Sequence, residues 1–313
     1  MPYPEIDLSA ITTQPIARRA SKVTLGDLVT PPNRGESALF ERLPNLLSVK
    51  AVRELASKVA SAKRRGYPLI YAAGAHLVKV GLGPLLIALA REGLLDCLAV
   101  NGAFVIHDLE LAQFGKTSED VAEQLPRGRF GMSAETAELV NGGFALAIRE
   151  GIGAGEALGR LALEGENASI SVLAQLYSMG IPVTVHVALG TDIVHMHPNC
   201  DGAAIGESSL RDFRVLCHRV RQLGGESDEL GGCFLNWGSA VILPEVFLKA
   251  VSVARNLGMK GRFTTAVFDF IRQYRALENV VRRPSPGDGS YIIGPHELLL
   301  PLFYLACLLE SDG

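Results

Sequence analysis

The stretch VHVALGTDIVHMHPNCDG gathers His186, His195, His197 and Cys200 with the carboxylates of Asp192 and Asp201. His195 and His197 stand two apart, so in an extended chain both rings project to one side, as a proton-transfer pair or two metal ligands require. No H-E-x-x-H or other fixed ligand spacing accompanies them, so the pattern itself names no metal. Against both readings stands an ordinary exposed loop, turned by Pro198 and Asn199. A second candidate is His107 with Asp108, followed by Glu110: a histidine beside a carboxylate is a tunable acid or base, whereas at a surface helix start Asp108 would only complement the dipole. The single tryptophan, in Asn236-Trp237-Gly238-Ser239, is suited to stack on a ring or clamp an amine, or to fill a core. Finally Gly74, Ala75 and His76, with Gly81 and Gly83 after them, form a small-residue turn that lets a phosphate approach backbone, although the spacing is not G-x-G-x-x-G and a tight turn needing positive φ is the commoner reason for such glycines.

These residues need elements to hold them. The apolar run Leu69 to Ala73, a helix from about Gly83 to Glu92 and the run Leu95 to Val100 read as a βαβ unit. Further runs at Val183 to Val187, Cys233 to Leu235 and Thr265 to Phe268, separated by helical patterns, extend it into a parallel sheet buried on both faces. Upstream, Val52, Leu55, Val59 and Ala62 recur at helical spacing, ending in Lys63, Arg64, Arg65 and Gly66 as a helix C-terminus does. Between Ser133 and Gly180 the pattern is helical, a layer over the sheet. The expected fold is doubly wound α/β: residues 1–47 an arm packed on the body, residues 48–313 one dinucleotide-binding domain. In such sheets the ligand crevice lies at the carboxyl ends of the strands, so His107 and the His195/His197 pair are expected in one crevice bordered by Asn101, Gly102 and Gly238.

With 313 residues, 48% of them apolar, the chain can bury a large core. Thirty basic against 33 acidic residues, a formal charge of −3, leave no positive field for nucleic acid. The apolar runs Leu82 to Ala90 and Leu298 to Leu309 are too short to span a membrane and contain Pro84 and Pro301. Pro2, Pro4, Glu5 and Asp7 do not read as a secretory signal, so the cytoplasm is expected. The cysteines Cys97, Cys200, Cys217, Cys233 and Cys307 are scattered, without a C-x-x-C pair, which indicates neither a disulfide framework nor a zinc knuckle.

The stretch LIYAAGAHLVKVGLGPLLIALAREGLLDCLAVNGAFVIHDLELAQFG, from Leu69 to Gly115, resembles the cofactor-binding region of deoxyhypusine synthases. It is similar also to the C-terminal domain of ornithine cyclodeaminases of the arginine dihydrolase type. The order continues in IPVTVHVALGTD, CFLNWGS, FTTAVFDF and GPHELLLPLFYLA. The resemblance implies NAD as cofactor, NADP being the variant, with Gly74, Ala75, His76 and Lys79 in one contact loop and Asn101, Gly102, Ala103 and His107 in the next. Asp192 approximates an acidic position of that family, and Trp237 and Gly238 stand in the counterpart of a glycine-rich cofactor loop. It implies a homo-oligomer, a dimer or tetramer. The imine-forming lysine of the synthases has no counterpart, since no lysine follows Lys260, and apolar Val241 or Ile242 replaces the spermidine-contacting histidine.

The expected function is therefore an NAD-dependent enzyme acting on a small amine, amino acid or alcohol without an enzyme imine. Its acid–base groups are drawn from His107, Asp108, Asp192, His195 and His197. The alternatives are a non-catalytic dinucleotide sensor and a metal-dependent enzyme built on His186, His195, His197 and Cys200.

Overall fold

The computed structural model describes residues 5–36, 38–226 and 229–311, with the side chain of Leu39 also left aside. Met1 to Pro4, part of the signal-peptide reading, lie outside the described residues. Among the described residues there are eight strands: β1 (Ser21–Thr24), β2 (Leu69–Ala73), β3 (Cys97–Asn101), β4 (Lys116–Glu119), β5 (Val183–His186), β6 (Leu230–Trp237), β7 (Arg262–Asp269) and β8 (Gly289–Ile293). Six of them form one sheet in the order β5-β3-β2-β6-β7-β8, every neighbouring pair parallel. Chain order runs outward from β2 in one direction and then from β6 in the other, so the sheet has a switch point between β2 and β6.

Strand side chains alternate between two cores, as the pleat requires. Leu69, Tyr71, Ala73, Leu98 and Val100 join the core under the helices Gly83–Arg91, Gly102–Phe114 and His296–Ser311. Ile70, Ala72, Cys97 and Ala99 join the opposite core, under Gly202–Arg221 and Ile242–Asn256. Both faces of β2 are covered, which is why it reads as the unbroken apolar run LIYAA. The doubly wound fold expected from the sequence is what the chain adopts.

Strand β5 is an edge, and an edge leaves backbone groups unpaired. Helix Gly202–Arg221 closes it with side chains: Asp212 Oδ2 accepts from Val185 N–H at 2.7 Å, and Ser209 donates to Val185 C=O at 2.8 Å. Strand β8, which the sequence reading did not identify, forms the other edge.

The segment before the first long helix, Leu47–Arg64, lies along the body. β1 pairs antiparallel with β4, Val29 N–H donates to Gly81 C=O at 3.0 Å, and Arg34 reaches Leu308 C=O at 2.9 Å. Ile16, Val23 and Phe40 are buried there. No helix among the described residues is long and apolar enough to cross a membrane.

Candidate active-site crevice

The loops after β2 and β6 meet at the switch point. Gly74 N–H donates to Trp237 C=O at 2.9 Å, and a Cβ on Gly74 would stand 2.7 Å from Gly238 O, so only backbone fits. Gly238 has φ +64, a conformation that suits glycine, and a Cβ there would reach 2.9 Å from His296 Cε1. Ala75 precedes the helical turn His76–Lys79, in which His76 and Lys79 are exposed. His76 lies tilted against Phe270 and His296, at ring-centroid distances of 6.0 and 5.5 Å.

Trp237 takes no part in lining this crevice. It is 0% exposed and stacks on Phe268 at 3.7 Å, so the expected cofactor-stacking role gives way to its core role beneath the loops. Phe270, 53% exposed, stands at the surface on this side; Asp269, one position earlier at the end of β7, is 2% exposed and accepts from Phe270 N–H at 2.8 Å.

On the β3 side, Asn101 caps helix Gly102–Phe114 through Oδ1, accepting from Phe104 N–H at 3.0 Å. Asp192, arriving from the loop after β5, sets its carboxylate against Gly102, where a Cβ would stand 2.0 Å from Oδ2. Burial pushes Asp192 up to about 6. Behind it is a cavity of about 200 Å³ lined by Lys79, Ala103, His107, Ser118, Glu119 and Asp192, with Arg19 and Glu110 at its wall.

The chemistry of that cavity follows from one chain of hydrogen bonds. Arg19 grips Glu110 with two bonds of 2.8 Å, and Thr136 donates to the same carboxylate at 2.7 Å. Burial alone would raise Glu110, but the hydrogen bonds and charge of Arg19, with Thr117 and Thr136, hold it below the usual glutamate range. The ionised carboxylate only accepts, so the Thr117 hydroxyl donates to Glu110 at 2.5 Å. The Thr117 oxygen must then accept, at 2.7 Å, from Nδ1–H of His107. That fixes the tautomer: Nε2 of His107 carries the lone pair. Burial depresses His107 to about 4, which keeps the ring neutral at physiological pH, with the Nε2 lone pair free. Ser118, the residue after Thr117, has φ +63, a strained conformation for a serine at the rim of this cavity. Glu119 is 7% exposed, and its Oε2 is buried without a partner.

The remaining expected site residues are placed elsewhere. Asp108 is not the partner of His107, because successive helical residues face different ways. It accepts from Ser171 Oγ at 2.5 Å and from the N–H groups of Val172 and Leu173 at 2.8 and 3.0 Å, capping helix Val172–Ser178. His195 and His197 are not a pair projecting from an extended chain. His195 lies within a helical turn, Ile193–Met196, where its Nδ1 accepts from the N–H groups of Gly190 and Asp192, both at 3.1 Å. His197 points away and donates from Nε2 to Gly131 C=O at 2.8 Å. His186 is tied to Thr184 at 2.9 Å. These three directions diverge, which corrects the metal-cluster reading; among the described residues no group of three or more His, Cys, Asp or Glu could hold a metal ion. Of the expected acid–base residues, His107 and Asp192 line one cavity, and the other histidines do not line it.

Arg19, Glu110, Thr117, Glu119 and Phe270 were absent from the expected site. Glu110 was visible as a helix carboxylate, but its partner lies 91 residues upstream, a pairing no local spacing encodes.

No protein-family model matches the chain. An ornithine cyclodeaminase from Methanothermobacter thermautotrophicus is 29% identical over 113 residues, 33% of this chain and 28% of the relative. The solved ternary complex of AgrE with ornithine and NAD+ superposes with a TM-score of 0.50 at 15% identity, covering 84% of this chain and 33% of that one. A structure described as a deoxyhypusine synthase, from Entamoeba histolytica, superposes with a TM-score of 0.50 at 11% identity, covering 90% of this chain and 97% of that one. The chain thus spans a third or less of the length of the cyclodeaminase relative and of AgrE. The resemblance read from Leu69 onward holds as a shared fold.

Proposed function

We propose that this chain, which shares its fold with an NAD+-bound enzyme structure, is itself an NAD-dependent enzyme acting on a small amine, amino acid or alcohol, with His107 as its general base. The observation that carries the reading is the Arg19–Glu110–Thr117–His107 chain, which presents a lone pair on Nε2 to a cavity at the carboxyl edge of a doubly wound sheet. With Nδ1–H engaged by Thr117, Nε2 is the ring's one acceptor at the cavity.

The residues fit a dinucleotide. The contact of Gly74 with Gly238 at the switch point leaves a floor of bare backbone. On the β7 side, exposed Phe270 offers a ring face for a base. On the β3 side, Asp192 offers a carboxylate beside Gly102. The adenosine half is assigned to Phe270, and the reacting half to the cavity of His107. Bound NAD supplies a hydride acceptor. His107 Nε2 takes the proton from the substrate nitrogen or oxygen as its carbon–heteroatom bond is oxidised. Thr117 and Glu110 hold the resulting imidazolium, and Arg19 keeps Glu110 ionised for that purpose. Lys79 and Asp192 at the rim orient the substrate.

Equilibrium titration with NAD and NADP, on the wild type and on Phe270→Ala, tests the reading. Expected are binding of a nicotinamide dinucleotide by the wild type and a loss of about 1–3 kcal/mol on removing the ring. Binding of neither nucleotide would refute it.

A further inference from the structure

A second cavity, of about 290 Å³, lies at the opposite end of β5, where Pro182 and Val183 enter the sheet. Its walls are Gly153 and Gly155 at the start of helix Ala154–Leu163, Tyr177, Val215, Glu156 and Asp212. Asp212 is 2% exposed, yet only half of its carboxylate is used. Oδ2 accepts from Gly155 N–H at 2.8 Å and from Val185 N–H at 2.7 Å, while Oδ1 takes no hydrogen bond from the described residues. The structural task of Oδ2 needs one neutral oxygen, which an asparagine would supply without burying a charge. The chain instead buries an ionisable group, pushed up to about 7 by burial, and leaves one oxygen at a cavity. Gly153 and Gly155 allow this approach: Cβ atoms there would stand 1.9 Å from Asp212 Oδ1 and 1.9 Å from Val183 O. A second carboxylate, Glu156, lies at the same cavity, and neither lysine nor arginine lines it.

The geometry points to a binding site for a small organic cation, a primary ammonium on a short aliphatic stem. The ammonium meets Asp212 Oδ1 and Glu156, the ring of Tyr177 offers a face to the charge, and Ile181, Pro182 and Val215 cover the stem. The site borders the edge strand β5, whose far end leads through Val187 into the loop carrying Asp192. It stands independently of the cofactor reading, since none of its residues lines the cavity of His107.

The test is a titration of the 15N-labelled full chain with n-butylamine hydrochloride, and with n-butanol as the neutral control, at constant ionic strength. The amide signals of Gly153, Gly155 and Val183 are followed. Saturable shifts with the amine and not the alcohol are expected, weakened about tenfold or more in Asp212→Asn, the loss of one charge-assisted contact. Because Asp212 also holds the edge strand, Val215→Trp provides a second arm: Val215 lines the cavity and is 40% exposed, so the larger ring is expected to take up the space of the stem while both carboxylate oxygens are retained. Abolished binding in that folded variant supports the site. No saturable shift, an equal response to butanol, or unchanged amine affinity in both variants would overturn it.

Discussion

His107 owes its proposed role to a hydroxyl rather than to an adjacent acid. Thr117→Val keeps the shape and removes the bridge, so Nδ1 loses its acceptor and the tautomer is no longer fixed. 15N–1H correlation spectra of His107 should show Nδ1–H in the wild type and a mixture of tautomers in the valine variant, with Thr117→Ser restoring the single form. A wild type already mixed would remove the base assignment. The same residue gives a pH prediction. His107 and His186 are both depressed by burial from 6.5 to about 4. Between those values the unfolded chain takes up protons that the folded chain refuses, so their contribution to stability is present above pH 6.5 and lost as pH falls through the window. Asp192 and Asp212, raised to about 6 and about 7, act in the opposite sense, their contribution being lost as pH rises through those values. The difference between wild type and His107→Gln isolates the histidine: the variant should lose less melting temperature between neutral and mildly acid pH, and equal losses would contradict the buried, neutral ring.

Helices, strands and turns decide which polar residues face the crevice, and here the sequence is informative only where one period dominates. β2 is read to the residue because both its faces are apolar. β4, Lys116–Glu119, is polar in every side chain and yet mostly buried, since its groups are satisfied by Arg19, Glu110 and Gly131 rather than by apolar packing, and alternation cannot reveal that. The His195/His197 reading assumed an extended chain; the turn that replaces it follows from the backbone donors of Gly190 and Asp192 closing on the His195 ring. Asp108 shows the same limit, because its three donors lie more than sixty residues away. Its role as a cap is testable: Asp108→Ala strands three buried donors and should lower unfolding free energy by about 3 kcal/mol or more in denaturant titrations. NAD affinity of the folded variant should be unchanged. A stable variant that has lost the nucleotide would return Asp108 to the crevice.

At the scale of the molecule, the arm and the sheet are joined through charge. Arg19, carried by residues before the first strand, pairs with Glu110 inside the body, both side chains being 1% exposed. Arg19→Met leaves a buried carboxylate without its cation, which should cost about 3–5 kcal/mol and melt arm and body together rather than in two steps. The doubly wound topology was legible because alternating strand and helix patterns admit few arrangements, and the crevice at its carboxyl edge followed from that topology. The base and its support were not, because they are assembled from the arm, β4 and helix Gly102–Phe114 only after folding. The central claim is that the switch-point floor of Gly74 and Gly238 holds NAD. Thermal unfolding with and without NAD, on the wild type and on Gly74→Ala, addresses it most directly. At NAD a hundredfold above Kd the folded state should gain about 2.7 kcal/mol and a clearly raised Tm. In Gly74→Ala, where the added methyl meets Gly238 O, that rise should disappear while the variant stays folded. An unmoved wild-type Tm, or an equal rise in both proteins, would contradict the account.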